Sequence, residues 1–89
     1  MQISQLQPFK RHTKKLKPNQ KRDLDKAIAK LLTDPTLGIR KKGDLSWVHV
    51  YKFRMVGQIV LLAYEYNDKE LVLAAIGDHE NFYRDLKRR

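Results

Sequence analysis

The chain has 89 residues, with 19 Lys and Arg against 10 Asp and Glu, a formal net charge of +9 and a pI near 10.0. That length fits one small domain, taken as residues 1–89, with a core just large enough to fold unaided. The lack of cysteine excludes disulfides and thiolate zinc sites.

No apolar stretch approaches the ~20 residues of a membrane span. Met1-Gln-Ile-Ser-Gln-Leu6 lacks a secretory pattern, so a cytoplasmic location without membrane contact is the expectation. Residues 1–22 carry seven Lys and Arg and no acid, and Arg40-Lys41-Lys42 and Lys87-Arg88-Arg89 form two further clusters. Such a field favours nucleic acid or an acidic protein, with strongly salt-dependent binding.

Residues 2–6 read as a short first strand. Pro8 suits the first turn of a helix, on which Phe9 and Leu16 share one face. Pro18-Asn19 interrupts that helix and can cap the next. Leu24, Ala27, Ile28, Leu31 and Leu32 then form a stripe at helical spacing, ended by Asp34-Pro35. Residues 36–46 read as a basic loop.

From Trp47 to Met55 the chain alternates, with Trp47, His49, Tyr51 and Phe53 on one face and Val48, Val50, Lys52 and Arg54 on the other. If the aromatics face the helices, Lys52 and Arg54 face the open side, and His49 is a structural residue at the core's edge. His12, among lysines, reads as an exposed surface residue. Gly57 marks a turn, residues 58–66 are apolar on both faces like a central strand, and Asn67-Asp68 turns the chain into a last strand over Leu71–Ile76. The expected fold is α+β in the order β-α-α-β-β-β-α: an antiparallel sheet covered by an N-terminal helical hairpin, then a short C-terminal helix.

Gly77 breaks the apolar run and Asp78 is a good cap for that last helix. Within about one turn follow His79, Glu80, Tyr83 and Arg84, a set suited to phosphodiester chemistry; an ordinary corner with solvated charges would look the same. The three histidines are scattered and the carboxylates unpaired, so a mechanism without metal or cofactor is expected. Cleaving a phosphodiester without a metal needs a base for the attacking hydroxyl, an acid for the departing oxygen and cations on the phosphorane. His79 suits acid–base work because an unperturbed imidazole titrates near pH ~6.5, and Glu80 is the alternative base. Lys52 and Arg54 can hold the phosphate, and Tyr83 can stack a base or bond a phosphate. Arg40, Lys41, Lys42, Arg84, Lys87 and Arg88 are candidate contacts to the RNA backbone.

Lys42-Gly-Asp-Leu-Ser46 ahead of a cationic strand, with the ending Gly77-Asp-His-Glu-Asn-Phe-Tyr83, resembles the RelE/ParE superfamily of bacterial toxin–antitoxin toxins over essentially the whole chain. The ending is similar to the YafQ branch. The resemblance implies one of two activities: RelE-like cleavage of mRNA on the ribosome, which inhibits translation, or ParE-like inhibition of DNA gyrase without RNA cleavage. It also implies a cognate antitoxin, with DNA met only through the antitoxin complex. Carried over by position, Lys52 matches a site lysine of RelE, Arg54 a nearby basic position, and His79 and Tyr83 the site histidine and downstream aromatic of YafQ. Val50 stands where RelE carries a further lysine, Leu61 where its third strand carries an arginine, and Trp47 where a glycine is common.

Overall fold

A computed structural model describes residues 1–78, 82, 83 and 86. In chain order the elements are β1 (Gln2–Gln5), α1 (Gln7–Thr13), α2 (Pro18–Thr33), β2 (Ile39–Arg40), β3 (His49–Met55), β4 (Gln58–Tyr66) and β5 (Glu70–Gly77). The five strands form one sheet in the order β1-β5-β4-β3-β2. Among the described residues no helix is long and apolar enough to cross a membrane.

The α2 stripe folds as its spacing demands. Leu24, Ala27 and Leu31 are buried, Ile28 packs at the margin, and Leu32 falls off the stripe at 36% exposure. Pro18 occupies the first turn, where a missing N–H costs nothing. The cap is Lys17 rather than Asn19: the Lys17 N–H donates to Gln20 Oε1 at 2.7 Å. Helix α1 is shorter than expected. It ends at Thr13, so Leu16 packs against the core from the turn between the helices.

Strands β3, β4 and β5 form the expected antiparallel meander. Met55 and Gln58 pair across a two-residue turn in which Val56 (φ 51°) and Gly57 (φ 79°) both take positive φ, matching the twist of the flanking strands. A β-branched residue is strained there, and Asp23 of α2 holds the turn by accepting the Val56 N–H at 2.8 Å. Strand β1 adds parallel to β5, with Gln2 opposite Glu70 and Gln5 opposite Leu73; the Ser4 hydroxyl donates to the Glu70 carboxylate.

The central strand β4 is buried on both sides and so divides two cores. Val60, Leu62 and Tyr64 join Phe9, Leu24 and Leu31 beneath the helices. Leu61 and Ala63 join Val48, Val50, Ala74, Ala75, Phe82 and Leu86 on the other face. That face is therefore only partly open, a correction to its description as the exposed side. Irregular pairing at Ala63/Tyr64 leaves Ala74 as an extra residue in β5, so Leu73 points to the helices while Ala74 and Ala75 both serve the second core. Alanines at these positions leave room for Phe82 and Leu86. Phe82, Tyr83 and Leu86 are helical, and the Phe82 N–H donates to the Asp78 carbonyl at 3.1 Å.

Residues 36–46 hold more structure than a loop. Pro35–Leu37 form a 3₁₀ turn whose Thr36 N–H donates to the Asp34 side chain at 3.1 Å. Ile39 and Arg40 then pair with Val50 and His49. Tyr64, fully buried, fixes this segment: its hydroxyl donates to the Pro35 carbonyl at 2.6 Å and accepts the Gly38 N–H at 2.9 Å. A Cβ at residue 38 would lie 2.5 Å from the Tyr64 hydroxyl, so only glycine fits. Tyr64→Phe removes the partner of a part-buried carbonyl and a part-buried N–H, and should lower stability by about 1–3 kcal/mol. Urea unfolding combined with faster hydrogen exchange at the Gly38 amide checks this; an unchanged Gly38 exchange rate would refute it.

Candidate functional site

The strand parity of β3 puts Lys52 and Val50 on the face away from the helices. Leu61 lies directly opposite Lys52, and Gly77 directly opposite Leu61, so the three form one row across β3, β4 and β5. Neighbouring strands lie ~4.8 Å apart, which puts Lys52 and Gly77 about 10 Å apart at the backbone. Alongside this row is a cavity of about 440 Å³ lined by Leu37, Ile39, Lys41, Val50, Tyr51, Lys52, Leu61 and Tyr83.

Its walls differ in chemistry. Val50 and Leu61, at 7% and 5% exposure, form an apolar floor. Ile39 stands opposite Val50 at 72% exposure, with Leu37 beside it at 45%. Lys52 is exposed at one margin. Lys41 Nζ lies 5.5 Å from the centre of the Tyr83 ring, a cation held over a π face, and the Tyr83 ring meets Phe82 edge-on at 5.0 Å. A site of this kind can take a molecule with both an apolar surface and negative charge.

Of the residues predicted for the site, Lys52, Lys41 and Tyr83 come together here. Arg54 shares the Lys52 face but reaches back to the hairpin turn, where its Nη1 donates to the Gly57 carbonyl at 3.4 Å, and it does not line the cavity. Arg40 is on the wrong face. It pairs with His49, and its Nε donates to the Ser46 carbonyl at 3.3 Å. Lys42 is exposed and does not line the cavity. His79, Glu80, Arg84, Lys87 and Arg88 lie outside the described residues.

Two histidines have informative surroundings. His12 is half-buried rather than exposed: its Cε1 lies 3.6 Å from where a Cβ would stand on Gly77, so α1 packs against the exit of β5. His49 is half-buried on the helix face, stacked on Tyr64 at 5.5 Å and tilted against Tyr66 at 5.0 Å, as its inward parity implied. Its Nδ1 is buried without a hydrogen-bond partner among the described residues. The residues that sequence reasoning missed are Leu37 and Ile39. The available signal was two aliphatic side chains flanking Gly38 in an otherwise polar stretch.

Burial, and then the positive charge of Arg40, hold the His49 pKa below its ordinary 6.5. The unfolded chain therefore takes up a proton near pH ~6.5 that the folded chain refuses. The stability due to neutral His49 is present above that pH and is lost as pH falls through the lower folded value. Urea midpoints between pH 7.5 and 5 should decline for the wild type, and His49→Phe should flatten the decline. Equal slopes for the two proteins would contradict the assignment.

The family model for the ParE-like toxin of type II bacterial toxin–antitoxin systems matches residues 3–87. No curated protein sequence matches. Among solved structures, the free state of an E. coli RelE toxin mutant superposes with a TM-score of 0.75 at 17% identity, covering 99% of this chain and 95% of that one. The intact E. coli RelBE toxin–antitoxin complex contains a chain matching with a TM-score of 0.69 at 18% identity, over 89% of this chain and 96% of that one. A conserved hypothetical protein from Helicobacter pylori, solved in solution, gives 0.55 at 21% identity, over 89% and 94%. At these identities the likeness establishes the fold.

Proposed function

We propose that this chain, which belongs to the ParE-like toxin family of type II bacterial toxin–antitoxin systems, is an endoribonuclease that cleaves mRNA on the ribosome and so stops translation. The observation that carries the reading is Lys52: an exposed lysine at the margin of a cavity that also contains an aromatic ring and a second lysine. In the proposed reaction the ribose 2′-oxygen attacks phosphorus and the bond to the 5′-oxygen breaks, leaving a 2′,3′-cyclic phosphate and a 5′-hydroxyl. The Lys52 ammonium stabilises the charge that builds on the phosphorane oxygens. His79 follows Gly77 by two residues, and Gly77 shares the Lys52 row. His79 exchanges the protons: as base it takes one from the 2′-OH, as acid it returns one to the 5′-oxygen, with Glu80 as the alternative base. Tyr83 supplies the stacking surface.

A ribosome would hold the message in register, a contribution of several kcal/mol that a small cavity cannot make alone. The partner that silences the toxin is a cognate antitoxin, as in the E. coli RelBE complex, whose toxin chain has the same fold. The basic surface suits an acidic antitoxin segment that folds on binding.

A second reading, inhibition of gyrase without RNA cleavage, draws on the apolar floor. Leu61 is buried opposite Lys52, so that strand position offers the phosphate no cation. Induction of single variants separates the two. Lys52→Ala should slow message cleavage by about 100-fold, equivalent to losing one donor worth ~3 kcal/mol, and His79→Ala should abolish growth arrest. Lys52→Ala should melt at the wild-type temperature, because Lys52 is exposed. If both variants remain fully toxic and DNA replication halts before translation, the gyrase reading replaces this one.

A further inference from the structure

Ile39 is the most exposed of the large apolar side chains on the molecule's described surface, at 72%, and it sits on a two-residue edge strand exposed at both positions. Exposed aliphatic side chains scattered singly need no explanation. Ile39 is not single: Leu37 is beside it, and both overlook the buried floor of Val50 and Leu61. The segment carrying them is also rigidly held, since Tyr64 binds the backbone at Pro35 and Gly38 and glycine is obligatory between the two side chains. A wall built with that much support, and left facing a cavity, points to an occupant.

The lysines indicate what the occupant is. Lys52 and Lys41 line the same cavity as Ile39 and Leu37, and Lys41 also lies over the Tyr83 ring, which lines it too. Apolar surface between an aromatic ring and an aliphatic side chain accepts a flat π system of any sequence, and lysines at the margin take phosphates as point charges. The volume, about 440 Å³, lies within the ~300–1,000 Å³ usual for small-molecule sites. An apolar side chain of a protein partner would use the floor and the wall but would gain nothing from Lys52.

Resting on the RNA reading above, we propose that this cavity is a nucleobase pocket. One base of the bound strand lies between Ile39 and Tyr83, and the phosphate attached to it meets Lys52. Ile39 and Leu37 thereby set which nucleotide along the strand is presented for cleavage, by position rather than by base identity.

The test is equilibrium binding of the full chain to a five-nucleotide 2′-fluoro RNA, which lacks the attacking hydroxyl and cannot be cleaved. The same RNA is then made with an abasic residue at each position in turn. At one position the abasic change should weaken binding about tenfold, within the range that one stacked base contributes, and at the other four by less than twofold. Ile39→Ser, which leaves the buried core untouched, should bind the intact RNA about tenfold more weakly and lose its sensitivity to the abasic position. Lys52→Ala should weaken all the RNAs alike. If Lys52→Ala weakens binding but no abasic position does, the base pocket is wrong and the phosphate site stands. If neither change matters, RNA does not bind this face, and both the pocket and the RNA reading fall, leaving the cavity to a protein side chain.

Discussion

The Tyr64 hydroxyl connects what stabilises this protein to what shapes its site. The ring is fully buried in the core beneath the helices, stacked against His49 and near Tyr66. The hydroxyl at its far end satisfies a carbonyl and an N–H of the segment that follows α2. Burying a phenol without partners would cost several kcal/mol on apolar-transfer scales, so ring and segment order together. Because that segment carries Leu37 and Ile39, the packing of the central strand sets one wall of the cavity on the opposite face of the sheet. A rigid core thus holds a binding wall that a free loop could not hold.

The sheet's two faces have separate duties. The helix side has the larger core and the largest fully buried side chain, Tyr64. The other side has a smaller core, in which Phe82 and Leu86 join three alanines, and a cavity lined by Lys52, Lys41 and Tyr83. The bulge at Ala74 makes this division possible by turning two successive small residues onto the second face. Among the described residues the cavity has the apolar floor of Val50 and Leu61, and its charge comes from Lys52 and Lys41. That arrangement favours recognition by shape and stacking over a dense cationic clamp.

Much of this was legible in the residues. The α2 stripe, the alternation through β3 and the two-sided apolar run of β4 each have a period that only one structure satisfies, and β3 parity alone assigned Lys52 to the face away from the helices and His49 to the helix side. What escaped has equally physical reasons. A two-residue strand such as β2 has no period to detect, so residues 36–46 looked like a basic loop and Ile39 went unnoticed. The bulge at Ala74 interrupts alternation without leaving a glycine to mark it. The pairing of β1 with β5 is parallel and distant in sequence, beyond any local signal. Within the site, Lys41 was recognised as basic, but its place over Tyr83 depends on two loops meeting. Arg54 and Arg40 were grouped with Lys52 by charge, whereas position along the strand separates the first and parity the second.

The central claim is that the sheet face opposite the helices, at the row formed by Lys52, Leu61 and Gly77, is where this toxin meets RNA. The most direct measurement is a methyl and amide NMR titration of the chain with an uncleavable RNA at moderate salt. The account predicts that the methyls of Leu37, Ile39, Val50 and Leu61 and the amide of Lys52 shift together and saturate at one concentration, while the α2 stripe under the sheet stays still. Shifts confined to the basic α1–α2 corner, with Ile39 and Leu61 unmoved, would contradict it.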